Sequence, residues 1–168
     1  MSVAHARKLF PSLGDERLYT YIPQEPPTSV AALGERYERL SRRRSPDGRE
    51  IWLNWALRPR TEAQHVGVVQ ATVRDDATAL LAYMIFIPYQ GMGYAREACL
   101  RVLNHLASAY RTRLAIADID TRNQPSIGLA ESLGFTRTAT KRPADYFKGA
   151  SSDEYRYELR LPRDEMAQ

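Results

Sequence analysis

The sequence predicts an α/β (α+β) domain of about six strands interleaved with helices. Two observations carry this. Segments with helical periodicity alternate with strand-length runs along 168 residues. One glycine-bearing turn, Gln90-Gly91-Met92-Gly93-Tyr94-Ala95, joins an apolar strand candidate directly to an amphipathic helix. The length suits one unit with its own core, so residues 1–168 are expected to form a single domain. There is no internal repeat or low-complexity stretch to divide them.

His5–Leu13 reads as a short helix. Thr28 or Ser29 caps a second helix running to about Arg44, with Val30, Leu33, Tyr37 and Leu40 on one face. Pro46-Asp47-Gly48 is a turn. Glu50–Leu57 alternates as a strand, with Ile51, Leu53, Trp55 and Leu57 on one side. After a loop through Pro59–Gln64, Val66–Arg74 forms the next strand, and Asp75-Asp76 turns it into a third, Leu80–Ile87. Beyond the glycine turn, Ala95, Ala98, Cys99, Val102, Leu103 and Leu106 mark the buried face of a helix. Leu114–Asp120 is a fourth strand. Asn123 opens a short helix with Pro125 in its first turn, where a missing N–H costs nothing, and Gly134 ends it. Phe135–Lys141 and Glu154–Leu161 are the last strands, with Pro143–Ser152 expected as a polar loop between them.

The turn before the long helix carries the chemistry. The first N–H groups of a helix have no intrahelical carbonyl, and the helix dipole adds positive charge there. Gly91 and Gly93 let a ligand approach the main chain. Together these favour a pyrophosphate; the competing reading is a plain connection. No Gly-x-x-x-x-Gly-Lys-Ser/Thr run occurs, which argues against a P-loop. Arg96 stands where a dinucleotide fingerprint has its third glycine.

About thirty residues on, Asn123-x-x-Ser126-x-x-Leu129-x-Glu131-x-Leu133-Gly134-Phe135 follows Gln90-x-x-Gly93-x-Ala95. Over Leu80–Thr140 this order resembles the GNAT superfamily of N-acetyltransferases, closest to the branch that acetylates ribosomal-protein N-termini and small amines. The resemblance implies a GNAT-like fold: a mixed, mostly antiparallel twisted sheet, splayed into a V between the Leu80–Ile87 and Leu114–Asp120 strands. It implies acetyl-CoA as cosubstrate and a primary amine as acceptor, a small molecule or a protein N-terminus, attacking directly in a ternary complex. The Gln90, Gly91, Met92, Gly93, Tyr94, Ala95 and Arg96 segment would hold the pyrophosphate. Ile85, Phe86 and Ile87 would pair with the pantetheine arm, with a backbone N–H near Phe86 facing the thioester oxygen. Asn123 and Ser126 would complete the cofactor site. The same resemblance allows a non-catalytic acyl-CoA-binding module instead.

The chain departs from the family pattern in places. A tyrosine that often protonates the leaving thiolate is replaced by Ala130. Ser126 then becomes the candidate proton donor; its other reading is a helix hydroxyl bonded to its own backbone. Met92 stands where a cation is frequent, with Arg96 nearby. Asp118 is the candidate base and Asp120 its neighbour, both also readable as strand-end carboxylates. Glu97 and Arg101 are spaced as a helix surface pair. The family's first strand is missing or reduced, because Met1–Ala4 is too short for one. That leaves the Glu50–Leu57 strand with an edge for the N-terminal segment or a second subunit (a homodimer) to cover.

The formal charge is +4, carried almost wholly by arginine. It suits a polyanionic cosubstrate more than nucleic acid, since the arginines are scattered among acids; Arg42-Arg43-Arg44 reads as a solvated helix end. His5, His65 and His105 lack metal-ligand spacing, so no metal is expected. Cys99 alone makes no intrachain disulfide and reads as a small buried hydrophobe. No apolar run is long enough to cross a membrane, no leader is evident, and a cytoplasmic location is expected. The acceptor is expected between Tyr19–Ser29 and Asp145–Ser152, in an aromatic, partly acidic cleft involving Tyr19, Tyr21, Glu25, Trp52, Asp145 and Tyr146.

Overall fold

The alternating Glu50–Leu57 run forms β1, and Gly67–Arg74 (β2) and Thr78–Ile85 (β3) continue it as an antiparallel meander. These elements come from a computed structural model, which describes residues 1–162. The end of the expected 1–168 unit lies outside the described residues. Helix α1 (Ala6–Leu13) follows a 3-10 turn at Val3–His5, and α2 spans Val30–Ser41. Ser29, not Thr28, caps α2: its hydroxyl accepts from the Ala32 N–H at 3.0 Å. Helix α3 (Tyr94–Tyr110), strand β4 (Leu114–Asp120), helix α4 (Gln124–Ser132) and strands β5 (Thr136–Phe147) and β6 (Ala150–Arg160) complete the order. The six strands lie β1-β2-β3-β4-β6-β5, and β3–β4 is the parallel pair.

Strand alternation sorts the apolar residues onto two faces. Val69, Ala71, Leu81, Ala115, Ala117 and Ile119 pack under the apolar side of α3 and α4, with Cys99 and Leu106 fully buried. Burial pushes the Cys99 thiol up to about 12, so it remains an apolar thiol, as expected. Val68, Met84 and Phe86 face the other way, against α1 and α2.

Three departures from expectation have local causes. Strand β3 stops at Ile85 because Ile87-Pro88-Tyr89 coils into a 3-10 turn, and proline has no N–H for a ladder. The expected loop at Pro143–Ser152 is instead the tip of a long β5–β6 hairpin. Lys148 and Gly149 both have positive φ, the geometry of a tight two-residue hairpin turn. The edge of β1 is covered from two directions. The Met1 ammonium donates to the Asn54 carbonyl at 2.9 Å, as an N-terminal cover requires. The segment after α2 adds cover that the sequence reading missed: Trp52 N–H donates to Arg43, and Arg44 bridges Ile51.

Gly67 is where β2 presses hardest on β3. A Cβ built there would lie 2.4 Å from the Met84 carbonyl oxygen and 2.9 Å from Ile85 Cδ1. Backbone cannot yield as a flexible side chain can. Gly67→Ala is expected to cost about 1–3 kcal/mol through overpacking. At this chain length each kcal/mol lowers Tm by roughly 2–4 °C, which a thermal melt would read; an unchanged Tm would contradict this close approach.

Candidate active site

The site begins where two strands stop pairing. Strands β3 and β4 bridge only at Thr78–Leu114, Ala79–Ala115 and Leu80–Ile116, and then part. The Phe86 N–H donates to Val66 at 2.9 Å, on the β2 side. Neighbouring residues of a strand direct their backbone groups to opposite sides. Those of Tyr83 and Ile85 therefore face the gap. The Ile85 carbonyl is taken by Gln90 Nε2 at 3.0 Å, leaving the Ile85 N–H and both Tyr83 groups toward the opening. An exposed strand edge of this kind binds amide-bearing chains by adding them as a strand.

The Gln90–Ala95 turn closes one end of the gap. Gly91 and Gly93 take φ +75° and +83°, and no atom lies within 4 Å of a Cβ built on either. Both angles fall in the left-handed region that disfavours side chains. Gly93 is the N-cap of α3. Among the described residues, no main-chain N–H from Gly91 through Arg96 donates to any carbonyl or side chain. Six consecutive free amides at the start of a 17-residue helix form a cradle for an anion. The Met92 side chain points to solvent, 61% exposed.

Helix α4 lies across the gap. Asn123 Oδ1 caps it, accepting from the Ser126 N–H at 3.2 Å. Tyr83 O–H reaches over and donates to the Ser126 carbonyl at 3.3 Å, tying β3 to α4. Burial pushes Tyr83 up to about 12, which keeps that donor protonated. The helical hydroxyls of Ser41, Ser108 and Ser132 each donate to a preceding carbonyl. Ser126 makes no such bond among the described residues and borders the cleft. Its second reading, a hydroxyl satisfied by its own helix, is therefore not realised.

The cleft so formed measures about 600 Å³. Ile85, Ile87, Gln90, Gly91, Gly93, Tyr94, Ala95, Arg96, Asn123 and Ser126, all singled out from the sequence, border it. Its roof, Arg17 to Ile22, was only partly foreseen. No motif marks that segment; it reaches the cleft because α1 packs against α2.

Several expected roles are corrected. Phe86 contributes neither side chain nor N–H. The ring is buried beneath α1 and α2, and the amide is spent on Val66. Asp118 does not line the cleft: both its oxygens are held by Arg156, at 2.9 Å each, as a bidentate pair on the opposite sheet face. A carboxylate so engaged is a poor base. Trp52 sits on β1 and donates to Glu50, bordering a separate cavity. Glu25, Asp145 and Tyr146 border neither the cleft nor a smaller cavity beside it under α2, although Lys148 at the hairpin tip bonds the Tyr19 carbonyl. Glu97 pairs with Arg101 at 3.1 Å, the surface pair its spacing suggested.

Asp120 ends β4 as structure. Its carboxylate accepts from Arg122 at 2.6 and 2.9 Å and from Ser152 at 2.8 Å. Burial raises its pKa, but the Arg122 and Ser152 bonds outweigh that and hold it below the usual value of 3.8. Glu154 on β6 is opposite: burial, then the Asp118 charge, push it upward.

Residues 1–136 match the family model described as an acetyltransferase (GNAT) domain. The chain belongs to the GNAT acetyltransferase family. It is 31% identical over 90 residues to the SPbeta prophage-derived uncharacterized N-acetyltransferase YokL of Bacillus subtilis (strain 168), covering 52% of this chain. The chain thus spans about half the length of that curated relative, 51%. A ribosomal L7/L12 alpha-N-protein acetyltransferase in complex with coenzyme A shares the fold, with TM-score 0.86, 18% identity, and coverage of 98% of this chain and 93% of that one. So does the spermidine N-acetyltransferase of Vibrio cholerae in complex with CoA and spermine, with TM-score 0.80, 18% identity, and coverage of 96% and 92%. Among the described residues no helix is long and apolar enough to cross a membrane.

A depressed folded pKa stabilises above the unfolded value and is lost as pH falls through the folded one. Asp120→Asn is therefore expected to cost about 1–3 kcal/mol at neutral pH, through lost charge-assisted hydrogen bonds. The gap to the parent should narrow as pH drops below the ordinary carboxylate value of 3.8. Denaturant melts from pH 7 to 3 read this, and a gap independent of pH would contradict the assignment.

Proposed function

We propose that the chain transfers an acetyl group from acetyl-CoA to a primary amine within a ternary complex. The observation that carries this is the conjunction of six free amides at the start of α3 with an unpaired strand edge running from them into the sheet. The first suits a pyrophosphate and the second an amide-rich arm; the two occur in the order that coenzyme A presents them. Members of the fold with coenzyme A bound are consistent with it.

Bound acetyl-CoA supplies the acyl carbon: a C–N bond to the acceptor forms, the C–S bond breaks, the nitrogen loses a proton and the sulfur gains one. The Ile85 N–H, not that of Phe86, is directed toward the gap and is the donor for the oxyanion. The Ser126 hydroxyl, free of its own helix, supplies the proton to sulfur. No carboxylate borders the cleft among the described residues, so the amine proton leaves to water at its open side.

A second reading, an acyl-CoA-binding module without chemistry, is favoured by one observation. Ala130, where many family members carry tyrosine, is buried at 2% exposure and offers no proton. Two variants separate the readings. Gly93→Asp places a side chain and a negative charge at a positive φ among the amides. It should abolish thermal stabilisation by CoA, and retained stabilisation would remove the pyrophosphate assignment. Ser126→Ala should keep CoA stabilisation but lower kcat for thiol release by about 10²-fold, the lower range for a lost general acid. Thiol release unaffected by Ser126→Ala would reassign the proton donor. Its absence in the parent, with every amine tried, would favour the binding module.

A further inference from the structure

A second cavity, of about 150 Å³, lies on the other face of β3, between α2 and the sheet. It meets the cofactor cleft along Ile22, Tyr83 and Met84, which border both. An amine entering from this side reaches the opening between β3 and β4. The acceptor cavity is thus placed by continuity with the cleft, and its chemistry is written in its lining.

That lining is apolar apart from a few groups. Arg36 projects into it, one guanidinium nitrogen bonded to Gln24 Oε1 at 3.3 Å. Gln70 borders it from β2. Tyr19 spends its hydroxyl on the Leu13 carbonyl at 2.9 Å. Tyr37 does not: only 3% exposed, its phenol has no hydrogen-bond partner among the described residues, and it borders the cavity. Its oxygen is not sealed off, unlike Thr112 Oγ1, so the phenol keeps an opening through which it can donate to an acceptor in the cavity. Burial pushes Tyr37 up to about 12, with the Arg36 charge working against it, so the phenol stays protonated as a donor, and both residues border the cavity.

The charges point the same way. Arg36 borders this cavity, and Arg17, paired with Asp15 at 2.6 Å, and Arg96 border the cleft. Among the described residues, no aspartate or glutamate borders either. A polyamine would bring additional ammonium groups beside Arg36, with no carboxylate in the lining to receive them, which selects against it. A carboxylate meets a planar guanidinium fork, a phenol donor and an amide donor.

We propose that the acceptor is a small amine bearing a carboxylate, an amino acid or its close analogue, whose carboxylate is gripped by Arg36 with Tyr37 and Gln70. This rests on the acetyl-transfer reading above and deepens it. It also reverses the expectation of a partly acidic cleft for a cationic amine.

The experiment uses the whole protein, saturating CoA, and three probe sets: the common amino acids, their carboxamides, and spermidine. Thermal shift reads binding, and thiol release from acetyl-CoA reads turnover. At least one amino acid should bind about tenfold more tightly than its carboxamide, a difference of 1.4 kcal/mol. Turnover should show the same bias in KM more than in kcat. Arg36→Gln should collapse the acid-to-amide ratio, Arg36→Lys should keep part of it, and Tyr37→Phe should weaken it. Stabilisation by CoA in each variant shows that the fold survives. Equal binding of acid and amide, tighter binding of spermidine, or no binding of any acid while CoA binds would each overturn the proposal. If CoA itself fails to stabilise the parent, the acetyl-transfer reading falls. The acid-to-amide comparison, repeated without CoA on parent and Arg36→Gln, then still decides what the cavity prefers.

Discussion

The structure turns on a ladder that is abandoned early. Strands β3 and β4 share three bridged pairs and then separate. Buried backbone N–H and C=O groups must find partners, and a sheet normally supplies them. Here the Ile85 N–H and both groups of Tyr83 are left to a partner from outside. Such a defect persists only if its surroundings hold it open. Gly67 presses β2 against the end of β3, Phe86 is anchored to Val66 and buried under α1 and α2, and Gln90 secures the Ile85 carbonyl. Tyr83 crosses to α4 and holds the far wall.

Because β3 is open along one edge but covered on both faces, two cavities converge on it. The α3–α4 side offers helix N-termini and free amides, suited to an anionic, amide-rich cosubstrate. The α1–α2 side offers apolar walls and a guanidinium. The same strand residues, Tyr83 and Met84, border both. Neither set alone makes an active site; their meeting at a strand with unsatisfied amides does.

Much of the cleft beside α3 and α4 is legible in the sequence. Gly91 and Gly93 announce positive φ, Asn123 and Pro125 announce a capped helix start, and Gly134 its end, because these residue types are tied to local backbone geometry. The cavity under α2 was not. Arg36 and Tyr37 read as one charged and one apolar position on an amphipathic helix, and nothing in their spacing says that they face a cavity. Asp118 looked like a base because it sits beside the gap in sequence. Its partner, Arg156, comes from a strand paired across the sheet, 38 residues away. The Pro143–Ser152 hairpin was missed because its polarity suits a loop, whereas its conformation follows from the tight turn at Lys148 and Gly149 and from pairing with β6.

The sequence by itself determined most of the elements, the glycine-bearing turn and the family, since each depends on contacts within a few residues or on motifs in fixed order. Tertiary structure alone decided which amide faces the gap, which carboxylates are held by arginines, and that the cavity under α2 is bordered by Arg36 and by no carboxylate among the described residues. Those properties arise between segments far apart in the chain, where burial and charge depend on what packs opposite, and no local pattern encodes the partner.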